Sequence, residues 1–147
     1  MSLKIAMGGD HAGYDLKSIL IEKIEREGHQ VKDFGPFSGD AVDYPDYIHP
    51  LANAINTGEY KYGIIFCGSG NGAQMTANKY QNVRAALCLN EDQAKLAHEH
   101  NNANIISLPG KFIPFEQAWK IVQAFFSASF EGGRHKRRID KISQKLK

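Results

Sequence analysis

The segment that decides the fold reads Ile64-Ile65-Phe66-Cys67-Gly68-Ser69-Gly70-Asn71-Gly72. An apolar run of the kind found in buried strands ends in a cysteine and a glycine-rich turn, and residues 73–79 have the pattern of a short helix. Strand, glycine turn and helix in this order are typical of the βα units of a parallel sheet. The segment therefore predicts an α/β protein.

The cysteine and the glycines of this segment have two interpretations. Glycines allow several backbone N–H groups to converge on an anion at a helix N-terminus, and Cys67 lies directly before them. Alternatively, Cys67 is a small buried hydrophobic residue and the glycines only form a tight turn. The segment alone leaves both a reactive and a structural thiol open.

The rest of the chain repeats the alternation of strands and helices. Apolar runs predict strands at residues 4–8, 30–34, 62–67, 83–88 and 103–108. Helical spacing and capping residues predict helices at residues 14–27, 46–56, 73–79, 91–100 and 114–128, and a last polar helix that carries Ile139, Ile142 and Leu146. These units predict a five-stranded parallel sheet covered by helices on both faces. We expect one domain over residues 1–147.

The composition is that of an ordinary globular protein. Of the 147 residues, 42% are hydrophobic and 23% are charged. Cys67 and Cys88 have neither CxxC spacing nor companion metal ligands, so we expect free thiols in a reducing compartment. No apolar run reaches the length of a signal sequence or a membrane span, so we expect a cytoplasmic protein with no membrane partner.

Polar residues follow two of the predicted strands. In a parallel sheet, ligands bind at the carboxyl ends of the strands. This rule places Asp10, His11, Tyr44 and the segment 67–72 together. The end of the helix at 91–100 lies at the opposite end of the sheet, where the strands begin. Asp10 and His11 can exchange protons or bind phosphate. The alternative is that Asp10 caps the first helix and His11 is merely exposed.

The C-terminal end of the chain is strongly basic. Seven basic residues and one acidic residue lie between Arg134 and Lys147. Arg134 and Arg138 are four residues apart and share a helix face, where two guanidinium groups can bind one phosphate. A solvated basic helix and a nucleic-acid contact are the alternatives. No basic surface interleaved with aromatic residues supports the nucleic-acid reading, so we expect no nucleic-acid partner.

Two further motifs are weak. Gly68-x-Gly70-x-x-Ala73 satisfies a loose dinucleotide-binding pattern, but the helix after it is short and a cysteine before the first glycine has no role in pyrophosphate binding. His98 and His100 are two residues apart on a helix and therefore do not share a face. We predict neither a cofactor nor a bound metal.

Several motifs together resemble one family, the type B ribose-5-phosphate isomerases, which share their scaffold with the subunits of galactose-6-phosphate isomerase. The resemblance runs from Lys4 to about Ile142. It rests on Gly9-Asp10-His11-Ala12-Gly13, Asp43-Tyr44-Pro45, residues 67–72, Ala77-Asn78-Lys79, Arg84-Ala85, His100-Asn101 and Glu131-Gly132-Gly133-Arg134-His135.

The resemblance implies a three-layer Rossmann-like sandwich that forms a homodimer, or as the alternative a tetramer, and that uses its C-terminal helix in dimerisation. It also implies that each active site is built from both subunits. His100 and Asn101 would then reach the neighbouring subunit's site, which accounts for their place at the opposite edge of the sheet.

The activity implied is the metal-free interconversion of ribose 5-phosphate and ribulose 5-phosphate. By this resemblance, His100 opens the sugar ring with help from Asp10, Cys67 carries a proton between C2 and C1, and Ser69 relays a proton between O1 and O2. The helix N-terminus and the glycines would favour the thiolate. The remaining residues that the resemblance places in substrate binding are His11, Tyr44, Gly68, Gly70, Asn71, Gly72, Asn101, Arg134 and Arg138.

Three positions refine this implication. Some relatives use a glutamate directly after the Gly-Asn-Gly turn, where this chain has Ala73, so the subclass with a cysteine base fits. Lys111 stands where many relatives have arginine, and lysine keeps the charge but loses the two-pronged donor. Ser69 keeps the hydroxyl of the threonine in other members.

Two alternatives to the ribose 5-phosphate activity stay open. One is a six-carbon aldose phosphate as substrate, and the other is a non-catalytic phosphosugar-binding role.

Overall fold

A parallel sheet forms the centre of the protein, as its sequence predicts. The structure, a computed structural model, describes residues 2–146. The strands are β1 (Lys4–Gly8), β2 (Gln30–Asp33), β3 (Tyr62–Cys67), β4 (Ala85–Leu87) and β5 (Ile105–Pro109). Every pair of neighbours is parallel, in the order β2-β1-β3-β5-β4. The predicted five-stranded parallel sheet is confirmed.

Helices cover both faces of the sheet. They are α1 (Tyr14–Arg26), α2 (Tyr44–Asn56), α3 (Asn71–Ala77), α4 (Glu91–Glu99), α5 (Phe115–Ser127) and α6 (Arg134–Asp140). One apolar cluster joins α1, α4 and α5 to the face of β3 that carries Ile64 and Phe66. A second joins α2 and α3 to the opposite face, which carries Ile65 and Cys67. Because side chains alternate along a strand, Cys67 lies on the α2 and α3 side.

Some boundaries differ from the sequence prediction. Helix α2 begins at Tyr44, two residues before the predicted start, because Pro45 is compatible with a first helical turn. Strand β4 is reduced to residues 85–87. Helix α6 ends at Asp140, so Ile142 and Leu146 are exposed beyond it and the predicted apolar stripe was wrong in extent.

The strand order creates a crevice between β1 and β3. The chain leaves β1 towards β2 on one side, while β3 and β5 lie on the other side of β1. The helices that follow β1 and β3, α1 and α3, pack on opposite faces of the sheet. The loops at the carboxyl ends of these two strands therefore diverge, and such a switch point is where parallel sheets bind ligands.

Close packing at Gly9 holds the β1 loop against β3. A Cβ atom at this position would lie 2.5 Å from the Phe66 carbonyl oxygen and 2.8 Å from Phe66 Cβ. Phe66 precedes Cys67, so this contact sets the distance between the two loops of the crevice.

We expect Gly9→Ala to lower the free energy of unfolding by about 2 kcal/mol, because the backbone of β3 must move to accept the methyl group. Urea titration measures the change. Gly39→Ala is the control, since its Cβ would lie 3.9 Å from the Tyr14 ring in ordinary contact. Equal stability of the two variants would contradict the packing argument.

A buried ion pair supports the loop after β2. Lys17 of α1 is only 1% exposed, and its Nζ lies 2.8 Å from Asp33 Oδ1, 2.9 Å from Asp33 Oδ2 and 3.0 Å from the Pro36 carbonyl oxygen. Asp33 Oδ1 also accepts a hydrogen bond from the Gly35 N–H at 2.8 Å. The Gly35 carbonyl in turn accepts from the Gly9 N–H at 2.9 Å. The ion pair thus connects α1 to the rim of the crevice.

No helix within residues 2–146 combines the length and the apolar character that crossing a bilayer requires.

Candidate active site

Cys67 is the last residue of β3 and lies just below the floor of the crevice. It is 4% exposed and packs with the cluster formed by α2 and α3. Its carbonyl oxygen accepts a hydrogen bond from the Gly110 N–H at 2.9 Å, and the Gly68 carbonyl accepts from the Lys111 N–H at 3.0 Å. The thiol is therefore carried on a backbone that the loop after β5 holds in place.

The glycine loop turns sharply into α3. Gly70 has a φ of +78°, a conformation that side chains disfavour, and it occupies the N-cap position of α3. Ser107 Oγ of β5 donates to the Gly70 carbonyl at 2.7 Å, and the Asn71 N–H donates to Ser69 Oγ at 3.2 Å. Since the serine and the helix fix the loop, its N–H groups are held in position before any ligand arrives.

Asp10 and His11 follow β1 on the other side of the crevice. Asp10 Oδ1 accepts from the N–H groups of Ala12 at 2.9 Å and Gly13 at 3.2 Å, so the carboxylate caps the short 3₁₀ turn at 11–13 that leads into α1. Asp10 therefore has the capping role that the sequence left open. The same hydrogen bonds fix its carboxylate in the crevice.

The ring of His11 is oriented by the loop before α2. Its Nδ1 accepts from the Val42 N–H at 3.1 Å. A neutral imidazole that accepts at Nδ1 carries its hydrogen on Nε2. His11 is exposed, so this N–H is available to donate to a ligand.

Tyr44 and Lys111 complete the rim. The Tyr44 ring lies so close to Gly72 that a side chain there would overlap its Cζ and hydroxyl atoms. The Lys111 stem lies beside Gly68, with Cδ 3.2 Å from where a Cβ atom would be. The structure therefore places Lys111 at the glycine loop that follows Cys67, although its contact with a phosphate stays a prediction.

Sequence reasoning missed Ser107. It is fully buried and is the one polar residue of β5, in an otherwise apolar run. An isolated serine in such a run was the available signal, because a buried hydroxyl needs a hydrogen-bond partner. Its partner, the Gly70 carbonyl, is distant in sequence and could not be identified without the fold.

The remaining candidate residues lie at the end of the sheet where the strands begin, opposite the end that carries Cys67. His100 caps the C-terminus of α4 and Asn101 follows it, shortly before β5 begins. Parallel strands of this length separate the two edges by roughly 17 Å. Within one chain, His100 and Asn101 are therefore apart from Cys67, as the sequence predicts.

The α6 helix lies beside this second group. Arg134 and Arg138 are exposed one turn apart on α6. The ring of His135, between them in sequence, stacks on the ring of His100. The basic helix and the end of α4 thus form one surface, while the thiol loop, Asp10, His11 and Tyr44 form another.

Comparison with known proteins identifies the family. The sequence profile described as Ribose/Galactose Isomerase matches residues 5–142. This chain belongs to the ribose/galactose isomerase family. A relative from Mycoplasma genitalium, named probable ribose-5-phosphate isomerase B, is 44% identical over 144 residues, which cover 97% of this chain and 95% of the relative.

Solved structures of the isomerase family agree with this assignment. The ribose 5-phosphate isomerase of Thermotoga maritima is 46% identical, superposes with a TM-score of 0.95, and is matched over 97% of this chain and 99% of its own. Ribose-5-phosphate isomerase B from Mycoplasma genitalium, solved with bound ribulose 5-phosphate, is 42% identical with a TM-score of 0.92 over 96% of this chain and 94% of its own. The resemblance of the sequence motifs to the type B ribose-5-phosphate isomerases is confirmed.

The second cysteine, Cys88, lies in an environment that disfavours the reactive thiolate. Cys88 is fully buried, and burial raises the pKa of its thiol to about 12. We expect Cys88 to stay unmodified when the native protein is treated with iodoacetamide near neutral pH, because the thiolate is the reactive form. Peptide mass spectrometry measures the modified fraction, and unfolding in urea before treatment provides the positive control. Rapid labelling of Cys88 in the native protein would contradict this environment.

Proposed function

We propose that this chain is an aldose–ketose isomerase that interconverts ribose 5-phosphate and ribulose 5-phosphate. The observation that carries the proposal is a buried thiol at the end of β3, directly before a fixed glycine loop and opposite Asp10 and His11. Its relative from Mycoplasma genitalium, solved with bound ribulose 5-phosphate, supports the same substrate class. We also propose that the whole chain forms one catalytic domain that acts in the cytoplasm.

The proposed chemistry is a proton transfer at the thiol. The Cys67 thiolate removes the hydrogen on C2 of the open-chain aldose as a proton. The C–H electron pair forms a double bond between C1 and C2, and O1 gains negative charge. Cys67 then returns the proton to C1, while Ser69 Oγ moves a proton between O2 and O1. No electron leaves the sugar, so the step needs no redox cofactor.

The glycine loop has the groups that this intermediate needs. The charge on the enediolate oxygens is stabilised by N–H donors that are already oriented. We propose that Gly68, Gly70, Asn71 and Gly72 supply these donors, with Tyr44 as the wall of the pocket. The hydrogen bond from Ser107 to Gly70 supports this role, because it fixes the loop before substrate binds.

We propose that the active site is completed by a second subunit. His100, Asn101, Arg134 and Arg138 lie at the opposite edge of the sheet from Cys67, so one chain presents two halves of a site. In a symmetric homodimer each half can meet its complement. Ile142 and Leu146, the exposed apolar residues just beyond α6, support a role for this helix in dimerisation. In the completed site His11, Arg134 and Arg138 bind the phosphate.

Complementation between inactive variants tests the shared site. We expect Cys67→Ala and His100→Asn homodimers to be nearly inactive, whereas refolding them together as an equal mixture restores about a quarter of the parent activity. Random pairing makes half of the dimers mixed, and each mixed dimer has one intact site out of two. A mixture no more active than the two separate variants would refute shared sites.

The family also includes galactose isomerases, so a six-carbon aldose phosphate is the second candidate substrate. Comparing kcat/KM for ribose 5-phosphate with that for allose and galactose 6-phosphates separates the two. We expect the five-carbon substrate to have the higher value. A higher value for a six-carbon substrate would keep the isomerase chemistry and overturn the substrate assignment.

A further inference from the structure

Three side chains near α6 form a cluster that the proposed chemistry leaves partly unexplained. The rings of His100 and His135 are stacked, with centroids 4.2 Å apart and an angle of 11° between the planes. Glu131 Oε1 lies 3.4 Å from His135 Nε2 and 3.8 Å from His100 Nε2. One carboxylate oxygen therefore faces the same nitrogen of both rings.

His135 is buried without a conventional partner. The residue is 6% exposed, and among residues 2–146 its Nε2 has no hydrogen-bond partner within normal geometry. A buried polar atom without a partner costs free energy, so its presence needs an explanation. Glu131 is its nearest anion, at a distance that favours charge attraction over a formed hydrogen bond.

The surroundings of His135 favour its neutral form. Burial lowers the pKa of His135 most, and the neighbouring His100, Arg134 and Arg138 lower it further, against the opposing effect of Glu131. A neutral ring in the stack allows the other ring, that of His100, to accept a proton without facing a second positive imidazole. The carboxylate of Glu131 then lies beside the charge that forms on His100.

The backbone fixes this arrangement. The Glu131 N–H donates to the Glu99 carbonyl at 3.0 Å, which ties the loop before α6 to the end of α4. Gly132 and Gly133 have φ values of +72° and +56°, and this turn brings His135 back over His100. Both neighbours of His100 are therefore held by main-chain geometry.

The same donors do not form a ready-made metal site. Their ligand atoms lie within 4.8 Å of one another, but the two imidazole planes are nearly parallel. A metal ion lies close to the plane of each imidazole that coordinates it. The planes of two stacked rings run side by side, so one ion cannot lie in both. Shared coordination would require one ring to leave the stack.

We propose that Glu131 and His135 are positioning residues for His100, which orient its imidazole and hold a carboxylate beside it during ring opening. The inference rests on the proposed function. In ring opening the anomeric O1–H gives its proton to His100, the O–H electron pair completes the C1–O1 double bond, and the bond from C1 to the ring oxygen breaks. His100 then returns a proton to that oxygen, so atoms and charge balance.

The test is a double-mutant cycle on conversion of ribose 5-phosphate. We expect Glu131→Gln, which keeps the shape of the side chain, to lower kcat about 10- to 100-fold with KM within about twofold, because it disturbs the orientation and charge of a group that reacts. In the His100→Asn background the same substitution is expected to change kcat by less than about twofold, since Glu131 acts through His100.

Further variants separate positioning from a structural role. His135→Phe keeps an aromatic ring in the stack and is expected to retain more activity than His135→Ala. Lys136→Gln is the control on α6, because its side chain is exposed and pairs with Asp140. The inference is overturned if Glu131→Gln leaves kcat unchanged, or lowers it equally in both backgrounds. An inactive parent would instead refute the proposed function.

Discussion

Cys67→Ala is expected to lower kcat for ribose 5-phosphate by about 10³-fold, the range typical of losing a general base. Alanine has no group that can accept the C2 proton, and Ala73, at the position after the Gly-Asn-Gly turn, has none either. Initial rates of ribulose 5-phosphate formation measure the effect. Alanine fits the buried site, so circular dichroism is expected to be unchanged.

Cys88→Ala is the matched control for this result. Cys88 is the other free and buried cysteine, and it lies on the opposite face of the sheet from the α3 cluster. We expect this variant to keep nearly the parent kcat. Parent-like activity of Cys67→Ala would refute the thiol as base while leaving the isomerase reaction intact.

Lys17→Met is expected to produce the largest loss of stability, about 2 to 3 kcal/mol in the free energy of unfolding. Methionine can replace the buried stem but not the ammonium group, which leaves Asp33 without its cation. The estimate is at the lower end for a buried pair because the Asp33 side chain is 32% exposed and water solvates it in part. Urea titration measures the change.

Lys23→Met is the control for the ion pair. Lys23 lies on the same helix, but its pair with Glu27 is at the surface, 3.3 Å apart with both side chains well exposed. Such pairs contribute well under about 1 kcal/mol. Equal losses in the two lysine variants would contradict a specific role of the buried pair.

The strands and the thiol loop could be predicted because their signals are local. The apolar run before Cys67 and the glycines after it define a βα unit without any distant contact. Asn90 directly before α4 is a local N-cap signal of the same kind, and its side chain accepts from the Gln93 N–H at 2.9 Å. Local patterns of this kind fix the order of elements, and the rule for parallel sheets then places Asp10 beside Cys67.

Features that depend on tertiary contacts could not be predicted. Lys17 follows an apolar residue on an amphipathic helix and would ordinarily be exposed, yet Asp33 and Pro36 bury it. Ile142 has the spacing of a helix stripe but lies beyond the end of α6. The stack of His135 on His100 joins residues 35 positions apart, and only the fold reveals it.

The most direct test of the central claim is conversion of ribose 5-phosphate to ribulose 5-phosphate by the purified protein in buffer that contains a metal chelator. We expect steady conversion that chelator does not reduce, since proton transfer is assigned to Cys67 and stabilisation of the enediolate to backbone N–H groups. Absence of conversion by the correctly folded protein, with six-carbon phosphates equally inert, would contradict it.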